Sequence, residues 1–201
     1  PEDAWMMTSD PCSAPREIVE MTLSFEQGIP VAIDGVRKDG VALIKELNIL
    51  AGRYGIGRID MVENRIVGLK SREVYEAPGA TLLLLAHQEL ETMVMDRETF
   101  NYGRQIAQDY ANLIYDGKWF GMLRPALDGF LAQTQQFVTG DVRLKISAGL
   151  VQVVGRKSPF SLYDEGLATY SDGDTFDRTA AEGFLKLYAL PYRTIAAVQK
   201  K

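Results

Sequence analysis

Two stretches of the chain set polar, chemically capable side chains inside strand-like surroundings. The first is Asp60-Met61-Val62-Glu63-Asn64-Arg65, continued by Lys70-Ser71-Arg72-Glu73-Val74-Tyr75-Glu76. The second is Gly155-Arg156-Lys157-Ser158-Pro159-Phe160-Ser161-Leu162-Tyr163. A set so dense in Glu, Asn, Arg, Ser and Tyr has a plain reading, a paired charge network that holds a hairpin, beside a functional one. His87, the single histidine, lies in an apolar stretch next to Gln88 and Glu89. A metal-binding or catalytic role is open to it, but the position reads better as a hydrogen-bonded structural histidine. With one histidine and one cysteine, Cys12, no clustered His/Cys metal site can be built, and a Ser-His-Asp triad would have to use His87.

The standard motifs are missing. No glycine-rich loop runs into Lys-Ser/Thr to cradle phosphates, and HExxH, CxxC and GxSxG do not occur. Gly55-Ile56-Gly57 opens like a dinucleotide fingerprint, but Asp60 occupies the third glycine position, and the fragment reads as a turn. Trp119 and Phe120, after the Gly117 turn, read as core or interface aromatics rather than a stacking platform. No self-contained active site is visible.

The chain has 201 residues, 46% hydrophobic and 24% charged, with 22 Lys+Arg against 27 Asp+Glu and a net charge of −5. That length can bury a sufficient core in one domain or two small ones. The composition excludes disorder and collagen-like repeats. Mild acidity argues against a protein that holds nucleic acid by neutralising phosphates. The longest apolar run, Leu82–Ala86, is far below the ~18 residues of a membrane span. No signal peptide is visible, and the lone Cys12 fits a reducing compartment. The expectation is a soluble, cytoplasmic, globular protein without membrane or nucleic-acid partners.

The elements that would position these residues follow from periodicity. Pro1 to Glu20 reads as a linker or arm, as in the later part of a longer polypeptide. Met21-Thr22-Leu23-Ser24-Phe25 alternates as a half-buried strand, Val31-Ala32-Ile33 follows as a second, and Asp34-Gly35 signals a turn. Asp39 is placed to cap a helix running to Gly52 and Gly55. Residues 57–75 predict strands broken at Gly68, and Pro78 predicts the start of a helix to about Met95, apolar on nearly every face and therefore buried. One further helix carries Ile106, Tyr110, Leu113 and Ile114 and closes at Asp116-Gly117; another carries Leu123, Leu127, Phe130, Leu131 and Val138. Val142, Leu144 and Ile146 predict a strand paired with Leu150–Val154 across Ala148-Gly149. Gly173 and Asp174 fall in a loop, Ala180–Leu187 in a short helix, and Tyr192, Ile195 and Ala196 form an apolar stripe in the tail after Pro191. Mixed element order with hairpin signals predicts an α+β fold, an antiparallel hairpin-rich sheet packed with helices plus a C-terminal helical arm.

The stretch Gly57-Arg58-Ile59-Asp60-Met61-Val62-Glu63-Asn64-Arg65, then Val67-Gly68-Leu69-Lys70-Ser71-Arg72 and Tyr75-Glu76-Ala77-Pro78, resembles the argininosuccinate synthase family. Ala86-His87, Glu89-Leu90-Glu91, Met95-Asp96-Arg97-Glu98, Gly155-Arg156-Lys157-Ser158-Pro159 and Ser161-Leu162-Tyr163 extend the resemblance across residues 20 to 190. It implies a ligase of arginine biosynthesis that joins citrulline to aspartate with ATP, giving argininosuccinate, AMP and pyrophosphate. It covers the C-terminal synthetase and multimerisation domain, 21–190, preceded by a linker, 1–20, and followed by an arm, 191–201, suited to oligomerisation. The family's Ser-Gly-Gly-x-Asp loop is absent, so ATP with magnesium is expected on an N-terminal nucleotide-binding domain of the same polypeptide, not here. A homotetramer is the implied assembly.

By motif position, the family's citrulline-binding glutamate falls on Glu63 and its tyrosine on Tyr75. A carboxylate can accept charge-assisted hydrogen bonds from the ammonium or ureido N–H groups of the amino acid, and a phenol can shape the pocket wall. If the hairpin turns about Leu69, positions 63 and 75 face each other across two strands. Arg65, Lys70, Ser71, Arg72, Arg156, Lys157 and Ser158 belong to the signature with packing and ion pairing as default roles; for Arg156, Lys157 and Ser158 a substrate or neighbouring-subunit contact is also open. The resemblance implies an incomplete pocket and a chain inert by itself. The alternative is a purely structural oligomerisation module.

Overall fold

In the computed structural model, residues 2–168 and 177–200 are described; the loop expected at Gly173 and Asp174 lies outside them. Two compact units divide the chain, Pro1–Leu162 and Tyr163–Lys201.

The first unit is built on β1 (Val19–Glu26), where Met21, Leu23 and Phe25 point inward and the residues between them outward. Gln27-Gly28 turns the chain into β2 (Ile29–Ile33), and Asp34-Gly35, with φ of 49° and 77°, turns it into β3 (Val36–Arg37). Left-handed conformation at both central residues matches the right-handed twist of the flanking strands, which is why Asp-Gly signalled the turn. Far along the chain, β6 (Gly140–Ser147) and β7 (Leu150–Lys157) form the hairpin across Ala148-Gly149. The antiparallel sheet has the order β3-β2-β1-β6-β7. The fold is α+β.

One face of the sheet is covered by α1 (Gly40–Arg53) and α2 (Pro78–Val94). Asp39 caps α1, its carboxylate accepting from the N–H groups of Val41 at 3.0 Å and Ala42 at 2.9 Å. The helix ends at Arg53, between Gly52 and Gly55. At Gly52 a Cβ would sit 2.2 Å from the Met7 carbonyl oxygen, so the glycine also admits the opening segment of the chain. Leu43, Leu47, Leu82, Leu90, Leu144 and Ile146 are fully buried between helices and sheet. Each such side chain contributes about 1.5–3 kcal/mol of apolar burial.

The expectation that α2 is buried all round is corrected. Pro78, Leu82, Ala86, Leu90 and Val94 form its buried stripe, while Leu84 is 69% exposed. Helices α3 (Arg97–Tyr115) and α4 (Leu123–Thr134) form a smaller cluster of their own about Ile106, Leu113 and Leu127. Val138, expected on α4, lies beyond its end; it is buried in the main core just before β6. His87 has the structural setting expected of it, with Nε2 2.9 Å from Gln135 Oε1 and its ring edge-on to Phe25.

The second unit holds α5 (Glu165–Ala168), α6 (Ala180–Tyr188) and α7 (Leu190–Gln199). Phe184, Tyr188 and Tyr192 follow one another as a ring ladder along α6 and α7, all exposed. No described helix is long and apolar enough to cross a membrane.

Candidate functional site

The signature stretch folds as a separate two-stranded hairpin, β4 (Arg58–Asn64) and β5 (Lys70–Glu76), closed by the loop 65–69. Arg65 N–H donates to Leu69 O and Gly68 N–H to Arg65 O, both at 2.8 Å, so the turn centres on Val67 rather than Leu69. The register shifts accordingly. Glu63 lies opposite Ser71 and Tyr75 opposite Ile59, not opposite each other. Because opposed residues share a face, residues 59, 61, 63, 71, 73 and 75 still project to one side.

On that side Glu63 and Tyr75 meet. They lean toward each other across about 13 Å of strand, and the Tyr75 hydroxyl donates to Glu63 Oε2 at 2.9 Å. The hydrogen bond to Glu63, then burial, raise the Tyr75 pKa, so the phenol keeps its proton. Tyr115, the last residue of α3, arrives from elsewhere in the fold: its hydroxyl is 3.3 Å from Glu63 Oε1 and 2.9 Å from Asn64 O. Burial and the Glu63 charge raise its pKa as well. Glu63, Arg65, Ile66, Val67 and Tyr115 line an open cleft. The carboxylate is thus held at both oxygens and reachable from solvent.

Tyr115 carried no motif in the sequence; only its place before the Asp116-Gly117 helix stop marked it, and that signals an end, not a ligand.

Arg65, Ser71 and Arg72 of the signature brace the hairpin. Arg65 pairs with Glu73 at 2.7 Å and donates to Ser71 Oγ at 3.1 Å; Arg72 pairs with Asp60 at 2.5 Å. The guanidiniums hold Glu73 and Asp60 below the usual carboxylate range. The opposite face of the hairpin takes the opening segment. Arg58 Nε donates to Thr8 Oγ1 at 2.9 Å and its guanidinium stacks 4.7 Å from the Trp5 ring centroid. Glu76 accepts from the N–H groups of Met6, Met7 and Thr8 and from Thr8 Oγ1 at 2.6–3.0 Å. Burial pushes the Glu76 pKa up, but these hydrogen bonds outweigh it and leave it lowered. In the second stretch, Arg156 pairs with Glu89 and Ser158 Oγ donates to Thr139 O at 2.7 Å. Both contacts are of the packing and ion-pairing kind expected by default.

Residues 1–195 match the protein family described as Arginosuccinate synthase C-terminal domain. The chain belongs to the argininosuccinate synthase C-terminal domain family. It is 52% identical over 198 residues to the argininosuccinate synthase of Chlorobium luteolum, covering 98% of this chain and 50% of that protein. It is 53% identical over 199 residues to that of Chlorobium phaeobacteroides, with 99% and 50% covered. The argininosuccinate synthase of Gloeobacter violaceus is 52% identical over 200 residues, with 100% and 50% covered. The chain therefore spans about half the length of the curated relatives it matches. In this argininosuccinate synthase domain, Glu63, Arg65 and Val67 of the signature line one cleft together with Tyr115.

Proposed function

We propose that this chain supplies part of the citrulline pocket of a cytoplasmic ligase that joins citrulline to aspartate with ATP, giving argininosuccinate, AMP and pyrophosphate. The observation that carries the reading is the Glu63 carboxylate, fixed by the Tyr75 hydroxyl and facing an open cleft. Tyr75 occupies Oε2 and so sets the carboxylate plane. Oε1, 3.3 Å from the Tyr115 hydroxyl, keeps a lone pair to accept an N–H of the amino acid, whose positive ammonium suits an anionic acceptor.

Among the described residues no group of three or more His, Cys, Asp and Glu could hold a metal ion, and the sequence has no phosphate-cradling loop. ATP and magnesium belong, in this reading, to an N-terminal nucleotide-binding domain of the same polypeptide. The test is the position of citrulline bound to the whole protein: beside Glu63 and Tyr75 supports the proposal, and a site away from the hairpin overturns it.

A second reading is architectural, with the chain as an oligomerisation module of a homotetramer. It is favoured by α6 and α7, which expose Phe184, Leu187, Tyr188, Tyr192 and Val198 and bury no residue. Short helices gain little stability alone and depend on packing an apolar face. Removal of residues 191–201 is expected to yield smaller species in sedimentation; an unchanged mass would count against the arm as the contact. The two readings are compatible.

A further inference from the structure

The pairing of Glu63 with Tyr75 leaves one group at the cleft unexplained. Tyr115 has a single hydroxyl proton and two acceptors in reach, Asn64 O at 2.9 Å and Glu63 Oε1 at 3.3 Å. That one proton serves these two acceptors, and the Tyr115 oxygen keeps its own lone pairs beside Oε1, free to accept from a third group. Glu63 is tied through Oε2 to Tyr75, and Tyr115 is tied to a backbone carbonyl at the end of β4.

The Arg65 guanidinium, on the same cleft wall, gives Nε–H to Ser71 at 3.1 Å and Nη2–H to Glu73 at 2.7 Å. The remaining wall residues, Ile66 and Val67, are apolar. What fits between Oε1 and the Tyr115 oxygen is an N–H donor brought by a ligand, strengthened by the carboxylate charge. We propose that Tyr115 is a third binding residue of the citrulline pocket, its hydroxyl oxygen accepting, together with Glu63 Oε1, an N–H of the bound amino acid. This rests on the reading of Glu63 and Tyr75 as the citrulline pair.

The experiment is steady-state kinetics of the whole enzyme with Y115F, E63Q and the double variant, beside their unfolding midpoints. Tyr115 is 50% exposed, and Y115F removes only a hydroxyl whose carbonyl partner water can satisfy. Y115F is expected to raise the KM for citrulline about three- to tenfold, the worth of one neutral hydrogen bond. The KM for aspartate, kcat and the unfolding midpoint stay at wild-type values, and the effect shrinks in the E63Q background because the two acceptors share one donor. An unchanged citrulline KM in Y115F, with a raised one in E63Q, overturns the role of Tyr115 and leaves that of Glu63. Unchanged values in both overturn the pocket itself. A joint shift of both KM values and the midpoint shows that Tyr115 merely holds the hairpin, which also overturns the proposal.

Discussion

Glu63→Ala in the whole enzyme is expected to raise the KM for citrulline about 10- to 100-fold while the protein stays folded. A hydrogen bond to a charged group contributes about 1.5–3 kcal/mol, and each 1.4 kcal/mol is tenfold in binding. In the proposed pose the carboxylate holds the ammonium of the amino acid, away from the bond being made, so ground state and transition state lose equally and kcat changes little. Folding survives because Glu63 sits on the open face of an otherwise braced hairpin: the Arg72–Asp60 and Arg65–Glu73 pairs do not involve it. The aspartate KM, read from AMP release under saturating citrulline, should stay at its wild-type value. A citrulline KM within twofold of wild type would remove Glu63 from the pocket.

The second large effect is on the hinge that carries the hairpin. Gly57 has φ of +90°, and a Cβ on it would lie 2.6 Å from Pro78 N and Cα, with Ala77 C at 2.7 Å. Its carbonyl accepts the Ala77 N–H at 2.9 Å, so the strand leaving α1 and the strand entering α2 are clamped together at this point. Gly57→Ala brings a left-handed penalty of about 1–2 kcal/mol and forced displacement of packed backbone of about 1–3 kcal/mol. A loss of about 2–5 kcal/mol is expected in urea unfolding. Gly68→Ala is the matched control, with φ of +83° but nothing within 4 Å of the added Cβ, and should show only the conformational part, about 1–2 kcal/mol. Equal losses at the two positions would show that the close approach to Pro78 has no energetic weight.

The elements legible in the sequence were those with strong local signals. Alternation of Met21, Leu23 and Phe25 with polar residues, the Asp34-Gly35 turn, the Asp39 cap and Pro78 at a helix start each rest on neighbours within a few residues, and each is in place. The departures arise where distant segments decide. Gly52 reads only as part of a helix stop, and its second use, the close approach of the Met7 carbonyl, depends on the opening segment far earlier in the chain. Val138 continues the apolar spacing of α4, yet the chain has already turned toward β6 and buries it in the main core. Leu84 belongs to an apolar run but lies on the side of α2 away from the sheet.

The site was legible in the same measure. Composition and charge gave only a braced hairpin, and the resemblance singled out Glu63 and Tyr75 within it. Their meeting survives the two-residue shift of the turn because that shift moves the pairing by four residues, an even number: a pairing slip of one residue would have sent Tyr75 to the opposite face. Tyr115 was invisible, because its contact with Glu63 spans 52 residues and depends on how α3 ends beside the hairpin.

The measurement that tests the central claim most directly is a crystal structure of the whole protein with citrulline bound. Glu63 Oε1 is expected within hydrogen-bonding distance of a citrulline nitrogen, with the Tyr75 hydroxyl still on Oε2 and forming the pocket wall. Citrulline bound elsewhere, with the Glu63–Tyr75 pair facing only water, would contradict the account.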